Sequence, residues 1–91
     1  MNIIGAQIVI PSLEEEITNK VEEIKKEAAM RIQATDWRIT RYNEQVTLGI
    51  SISEDLQVIL LDRQSIRDAN NIAENTVKSM TNIDNVRYFT W

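Results

Sequence analysis

The sequence contains neither cysteine nor histidine. Without cysteine there are no disulfides or thiolate metal sites, and this absence fits a reducing compartment. Without either residue, the commonest general base, the thiol nucleophile and the usual zinc ligands are all missing. We therefore predict that the protein is not an enzyme and holds no cofactor. A carboxylate-dependent enzyme or carboxylate metal binder stays as a less favoured alternative.

Glycine, proline and basic residues are also scarce. The two glycines, Gly5 and Gly49, cannot form a glycine-rich phosphate loop. Ten basic residues against 14 acidic ones give a net charge of −4, which disfavours nucleic acid as a partner. The apolar start is too short for a membrane span and lacks the basic region of a signal peptide. We expect a soluble protein that does not bind membranes.

Both ends of the chain are apolar and β-prone. Residues 1–11 predict an extended N-terminal arm or short strand, because isoleucine and valine lead up to Pro11, the only proline. Residues 86–91 predict a second short β-prone segment. The two segments could pair with each other, within or between chains, or attach to other proteins. The candidate attachment residues are Ile8, Val9, Ile10, Tyr88, Phe89 and Trp91.

Residues 12–35 predict a long helix. Ser12 and Glu15 match a capping box, and apolar residues then recur at heptad spacing. This stripe consists of Ile17, Val21, Ile24 and Ala28. One interpretation is an amphipathic helix packed on its own domain; the other is a seam that joins copies of the chain. We favour the second, with a trimer as a plausible state, because the rest of the sequence offers few apolar faces to cover the stripe.

Residues 36–91 predict a helical module. A middle helix should begin near Asp36 and end at Gly49, a residue suited to a left-handed terminator. A long C-terminal helix should follow a cap at Ser51 or Ser53. The predicted fold is therefore mainly α, with two to three helices and short β-prone ends.

Arg63 and Arg67 lie one turn apart and repel unless an acid neutralises them. Nearby acids point away, so we predict that Asp36 pairs with one of the two, with Glu44 as the second candidate. Trp37 would then lie across the arginine stems or the face of Ile66. Alternatively, the arginines capture a carboxylate of a ligand or partner.

Residues 31–91 resemble small tail proteins of bacteriophages and prophages, in particular the phage tail assembly chaperone type. The likeness consists of Thr35-Asp36-Trp37, then Arg63-Gln64-Ser65-Ile66-Arg67-Asp68, then a terminal Trp91. It implies no catalytic residues.

We therefore expect a virion-associated structural protein of a phage tail, fibre or adaptor that binds other tail or fibre proteins and self-associates. The alternative is an assembly chaperone that is absent from the finished particle. The expected location is the tail region of the virion, and the host cytoplasm during assembly.

Overall fold

The structure is a computed structural model that describes residues 11–91. The predicted arm, with Ile8, Val9 and Ile10, lies outside the described residues. The helices are α1 (Leu13–Gln33), α2 (Asp36–Leu48), α3 (Leu56–Lys78) and α4 (Ile83–Arg87). Helix accounts for 77% of the described chain, which holds no strand. The prediction of a mainly α fold is confirmed.

The start of α1 follows from its capping residues. Ser12 has an extended backbone, and its hydroxyl accepts a hydrogen bond of 3.1 Å from the amide of Glu15. Three glutamates occupy the first turn, where the partial positive charge of the helix end stabilises them. The capping role predicted for Ser12 is confirmed.

α1 and α2 join into one long bent helix. Ala34 and Thr35 keep right-handed helical backbone angles, so the chain changes direction without a true break. The Thr35 hydroxyl makes no capping hydrogen bond to an amide of α2. It donates a 2.6 Å hydrogen bond back to the carbonyl oxygen of Ile32, a pattern that bends helices.

A turn then reverses the chain into α3. Gly49 ends α2 with φ of 68°, as predicted, and its amide donates to the carbonyl oxygen of Val46. The predicted cap of α3 is wrong, because Asp55, not Ser51 or Ser53, accepts the amide of Gln57 at 3.0 Å. Ser53 is engaged across the turn instead, where its amide and hydroxyl both bond the side chain of Gln45.

The core lies at the end of the molecule where α1, α3 and α4 meet. Its fully covered members come from all three helices, and partly buried residues surround them. The buried set is Val21, Ile24, Ala73, Val77 and Val86. The surrounding set is Leu13, Ile17, Met80, Phe89 and Trp91.

The stripe predicted as an oligomerisation seam is covered by its own chain. Val21, Ile24 and Ala28 are buried, and Ile17 packs against the same core. The prediction that another chain must cover this stripe is wrong. The residues that cover the stripe belong to α3 and α4, and both helices are distant from α1 in the sequence.

The C-terminal segment is also different from its prediction. Residues 83–87 form α4, capped by the side chain of Asn82, and Val86 is completely buried. Phe89 and Trp91 are partly buried against the core of their own chain, and their attachment role stays a prediction. Tyr88 is 81% exposed and stays available.

Candidate functional site

The α2–α3 hairpin is held together by polar contacts and leaves apolar residues uncovered. No residue of α2 is buried, although α2 and α3 lie side by side. Several large apolar residues around this hairpin expose about half or more of their surface. They are Trp37, Val46, Leu48, Ile50, Ile52, Val58, Leu60 and Leu61, and we call them the hairpin surface.

Arg38 is the central cation of the hairpin. Its guanidinium donates two hydrogen bonds to the carboxylate of Glu54, in a fork geometry, and a third of 2.7 Å to Asp62. Arg41 adds a longer contact of 3.4 Å to Glu54. One arginine of α2 thereby binds both the turn and the first part of α3.

These contacts shift the protonation equilibria of the pair. Hydrogen bonds from Arg38 lower the pKa of Glu54 below its ordinary value, and the lost hydration of the carboxylate opposes this shift. The hydrogen bonds to Glu54 and then Asp62 raise the pKa of Arg38 above its ordinary value. Both groups therefore stay charged at neutral pH.

The ion pair predicted between Asp36 and one of two arginines is present. Arg63 Nη1 lies 3.0 Å from Asp36 Oδ1 and connects α3 to the first turn of α2. Arg67 is exposed and, like Glu44, forms no salt bridge with any residue from 11 to 91. Of the two predicted alternatives, Asp36–Arg63 is the one the structure contains.

Trp37 forms a cation–π contact within α2. Its ring is 59% exposed, and the guanidinium carbon of Arg41, one turn along α2, stands 4.9 Å from its centroid. Its predicted position across the Arg63 and Arg67 stems or the face of Ile66 stays a prediction. Such a cation–π contact keeps the indole at the surface, so Trp37 contributes apolar area to the hairpin surface.

A shallow groove extends the exposed area towards the C-terminal segment. It encloses about 380 Å³ between α3, Arg31 and the residues after α4. Trp91 forms one wall, where Arg31 stacks 4.0 Å from the ring centroid and donates a 2.8 Å hydrogen bond to the Trp91 carbonyl oxygen. The other wall is mostly apolar: Ala69, Ile72, Ala73 and Thr76.

The sequence reasoning missed most of the hairpin surface, although a signal was present. Residues 58–61 read Val-Ile-Leu-Leu. Four consecutive apolar residues point around a full turn of a helix, so one neighbouring helix cannot cover them all. Ile59 faces inward and is fully buried, whereas the other three are exposed.

Chemistry-bearing groups are not clustered in the part of the chain that the structure describes. Over residues 11–91, no three acidic side chains converge in a way that could hold a metal ion. None of the helices in this range is both long and apolar enough to cross a membrane. The apolar hairpin surface and the adjoining groove are therefore the features that stand out.

Comparison of the chain with family models, curated proteins and solved structures finds no match.

Proposed function

We propose that this protein is a protein–protein interaction component of a bacteriophage, a structural subunit of the tail, fibre or adaptor. The single observation that carries the interaction role is the hairpin surface, where eight large apolar residues are about half exposed or more. Among them Val58 and Leu61 lie one turn apart on the same side of α3, and exposed apolar patches are typical of sites that other proteins cover. The proposal assigns no catalytic role, because the sequence lacks the residues that most often provide one.

The assignment to a phage rests on the sequence resemblance over residues 31–91. The residues that carry the resemblance are not scattered in the fold. Asp36 pairs with Arg63, so the threonine-aspartate-tryptophan and arginine-glutamine segments meet across the hairpin. This pair links α2 to α3 beside the hairpin surface, which supports a common role for both segments in holding that surface.

The alternative is an assembly chaperone that covers tail or fibre surfaces transiently. The same resemblance favours it, since the named family is of that type. An exposed apolar surface suits either role, because a chaperone also has to cover apolar area on its client.

Mass spectrometry of purified particles separates these roles. Particles of the phage or prophage that encodes the chain would be washed in high salt, and peptides from residues 13–91 quantified against a major tail protein. A structural subunit persists at a fixed ratio to that protein. The infected lysate is the control, because it shows that the chain was made.

Presence in the lysate with loss from washed particles would contradict the structural role and support the chaperone. A second arm compares phages that carry Leu61→Glu or Met30→Glu. Both residues are exposed, but only Leu61 belongs to the hairpin surface. We expect fewer complete tails with Leu61→Glu alone, and equal yields from the two variants would contradict the interaction role of this surface.

A further inference from the structure

α3 carries a second apolar stripe besides its buried one. The inner stripe includes Ile59, Ala73 and Val77, all buried. The second stripe follows spacings of three and four residues along another side of the helix, which is the spacing typical of a helix-packing interface. It consists of Val58, Leu61, Ser65, Ala69, Ile72 and Thr76, and we call it the outer stripe.

The outer stripe is open along its length. Val58, Leu61 and Ile72 are 47%, 58% and 67% exposed, so a large part of each is open to a partner. Its C-terminal half forms one wall of the groove beside Trp91. A helix laid along the stripe would therefore contact the hairpin at one end and fill this groove at the other.

The border of the outer stripe is rich in neutral amides. Gln57, Gln64, Asn71 and Asn75 recur on one side, with Asp68 as the acidic exception. On the other side Asp62 is neutralised by Arg38 at 2.7 Å. Asp68 is the one charge named on this border without a salt bridge in residues 11–91, so a partner selected by charge would find little to bind. The amides instead provide both donors and acceptors, so they can bond identical residues.

The spacing of the stripe fits a two-fold arrangement. If two α3 helices run antiparallel and cross at Ser65, Val58 of one lies opposite Ile72 of the other, and Leu61 lies opposite Ala69. Larger residues then face each other or a small one, and the small serine at the centre allows close approach. The amides at 57 and at 71 or 75 also come together.

Exposed apolar residues are available over both helices of the hairpin. Trp37 and Leu48 of α2 are 59% and 70% exposed, and together with Val58, Leu61 and Ile72 they can contribute to the roughly 800 Å² per partner of a standard interface. The amide border and the groove lie beside these residues and add further contact area.

We propose that a second copy of this chain covers the outer stripe, with the two α3 helices antiparallel about Ser65, so that two hairpins form a four-helix assembly. This inference rests on the proposed function, because it names one partner of the interaction surface. It moves self-association from the buried stripe of α1 to an open stripe of α3.

Sedimentation equilibrium of the purified full chain over a wide range of micromolar concentrations tests the assembly. We expect a dimer for the wild type and for Met30→Glu, whose residue is 66% exposed on the far side of α1. Leu61→Glu and Ile72→Glu should be monomers with unchanged helical circular dichroism. A monomeric wild type, or an intact dimer in both stripe variants, would overturn the proposal.

Disulfide trapping tests the register independently. The sequence has no cysteine, so any disulfide must come from an introduced residue. Ser65→Cys places the two thiols beside the two-fold axis and should give a covalent dimer on mild oxidation. Asn43→Cys, exposed on α2 and outside the outer stripe, is the control. Cross-linking of the control but not of Ser65→Cys overturns the arrangement.

The two proposals fail in different ways. A monomeric chain that persists in washed phage particles contradicts the second copy and leaves the structural role intact. A dimer that is absent from particles contradicts the structural role and leaves the second copy intact.

Discussion

Among single residues, Glu54 gives a prediction about how the stability of the hairpin depends on pH. Its lowered pKa in the folded state means that its contribution is fully present above the pKa of an unfolded-chain carboxyl, about 4.3, and is lost as pH falls through the folded value. Glu54→Gln should lower the free energy of unfolding at pH 7, and the difference from wild type should shrink below about pH 4. Urea denaturation of both proteins at pH 7 and below about pH 4 measures this difference in the free energy of unfolding.

Glu22→Gln is the matched control for this prediction. Glu22 is exposed and forms no salt bridge within residues 11–91. Its substitution should leave the free energy of unfolding nearly unchanged at either pH. A Glu54→Gln deficit that stays the same in acid would show that the carboxylate charge is not what stabilises the turn.

The contact between Asp36 and Arg63 gives a second prediction at this scale. The Asp36 carboxylate is more than half exposed, so a double-mutant cycle with alanine at both positions should give a coupling free energy of about 0.2–1 kcal/mol. The same cycle on Asp36 and Arg67 should give none within error. Equal coupling for the two arginines would contradict the observed pairing.

These two ion pairs show what sequence can and cannot predict about side chains. Asp36–Arg63 was predictable to within one turn, because two adjacent arginines without a local acid require a distant partner. Arg38–Glu54 was missed, since Glu54 has an equally good local reason to stand near a helix start. A residue with two physical explanations does not reveal which one the fold uses.

At the scale of the helices, Gly49 gives a prediction about the turn after α2. Its φ of 68° is in the left-handed region, and a Cβ built there meets no atom within 4 Å. Gly49→Ala should therefore cost about 1 kcal/mol of stability through backbone strain alone. Gly49→Asn should cost less, because asparagine tolerates this conformation. Thermal unfolding compares them, and an equal loss for both would contradict this origin.

Helix starts were predictable where one capping residue stood alone, and not where several competed. Ser12 follows a proline and precedes three glutamates, so it has no rival. Before α3, Ser51, Ser53 and Asp55 all precede the helix, and the choice depends on the side chain of Gln45, which binds Ser53 across the turn. That contact joins α2 to the turn before α3, so a local pattern does not contain it.

At the scale of the whole molecule, the cover of α1 was the main feature that sequence reasoning predicted wrongly. The periodicity of Ile17, Val21, Ile24 and Ala28 correctly marked a packed face. It did not say which face of which element lies against it, because periodicity describes one helix and not its neighbours. The fully buried Val86, assigned to a β-prone tail, lies in a short helix that completes this cover.

The resulting distribution of burial gives the last prediction. The core lies where α1, α3 and α4 meet, whereas α2 contributes no buried residue and contacts α3 through the ion pairs of Arg38 and Arg63. Local opening requires less free energy where less apolar surface is buried, so amides of α2 should exchange with solvent deuterium at least about tenfold faster than those of residues 21–28. Exchange measured on dilute protein, where a second copy is least bound, tests this. Equal protection in the two segments would contradict this prediction. It would mean that the ion pairs of Arg38 and Arg63 stabilise the hairpin as strongly as the core stabilises the other end of the molecule. The hairpin would then be a rigid binding surface.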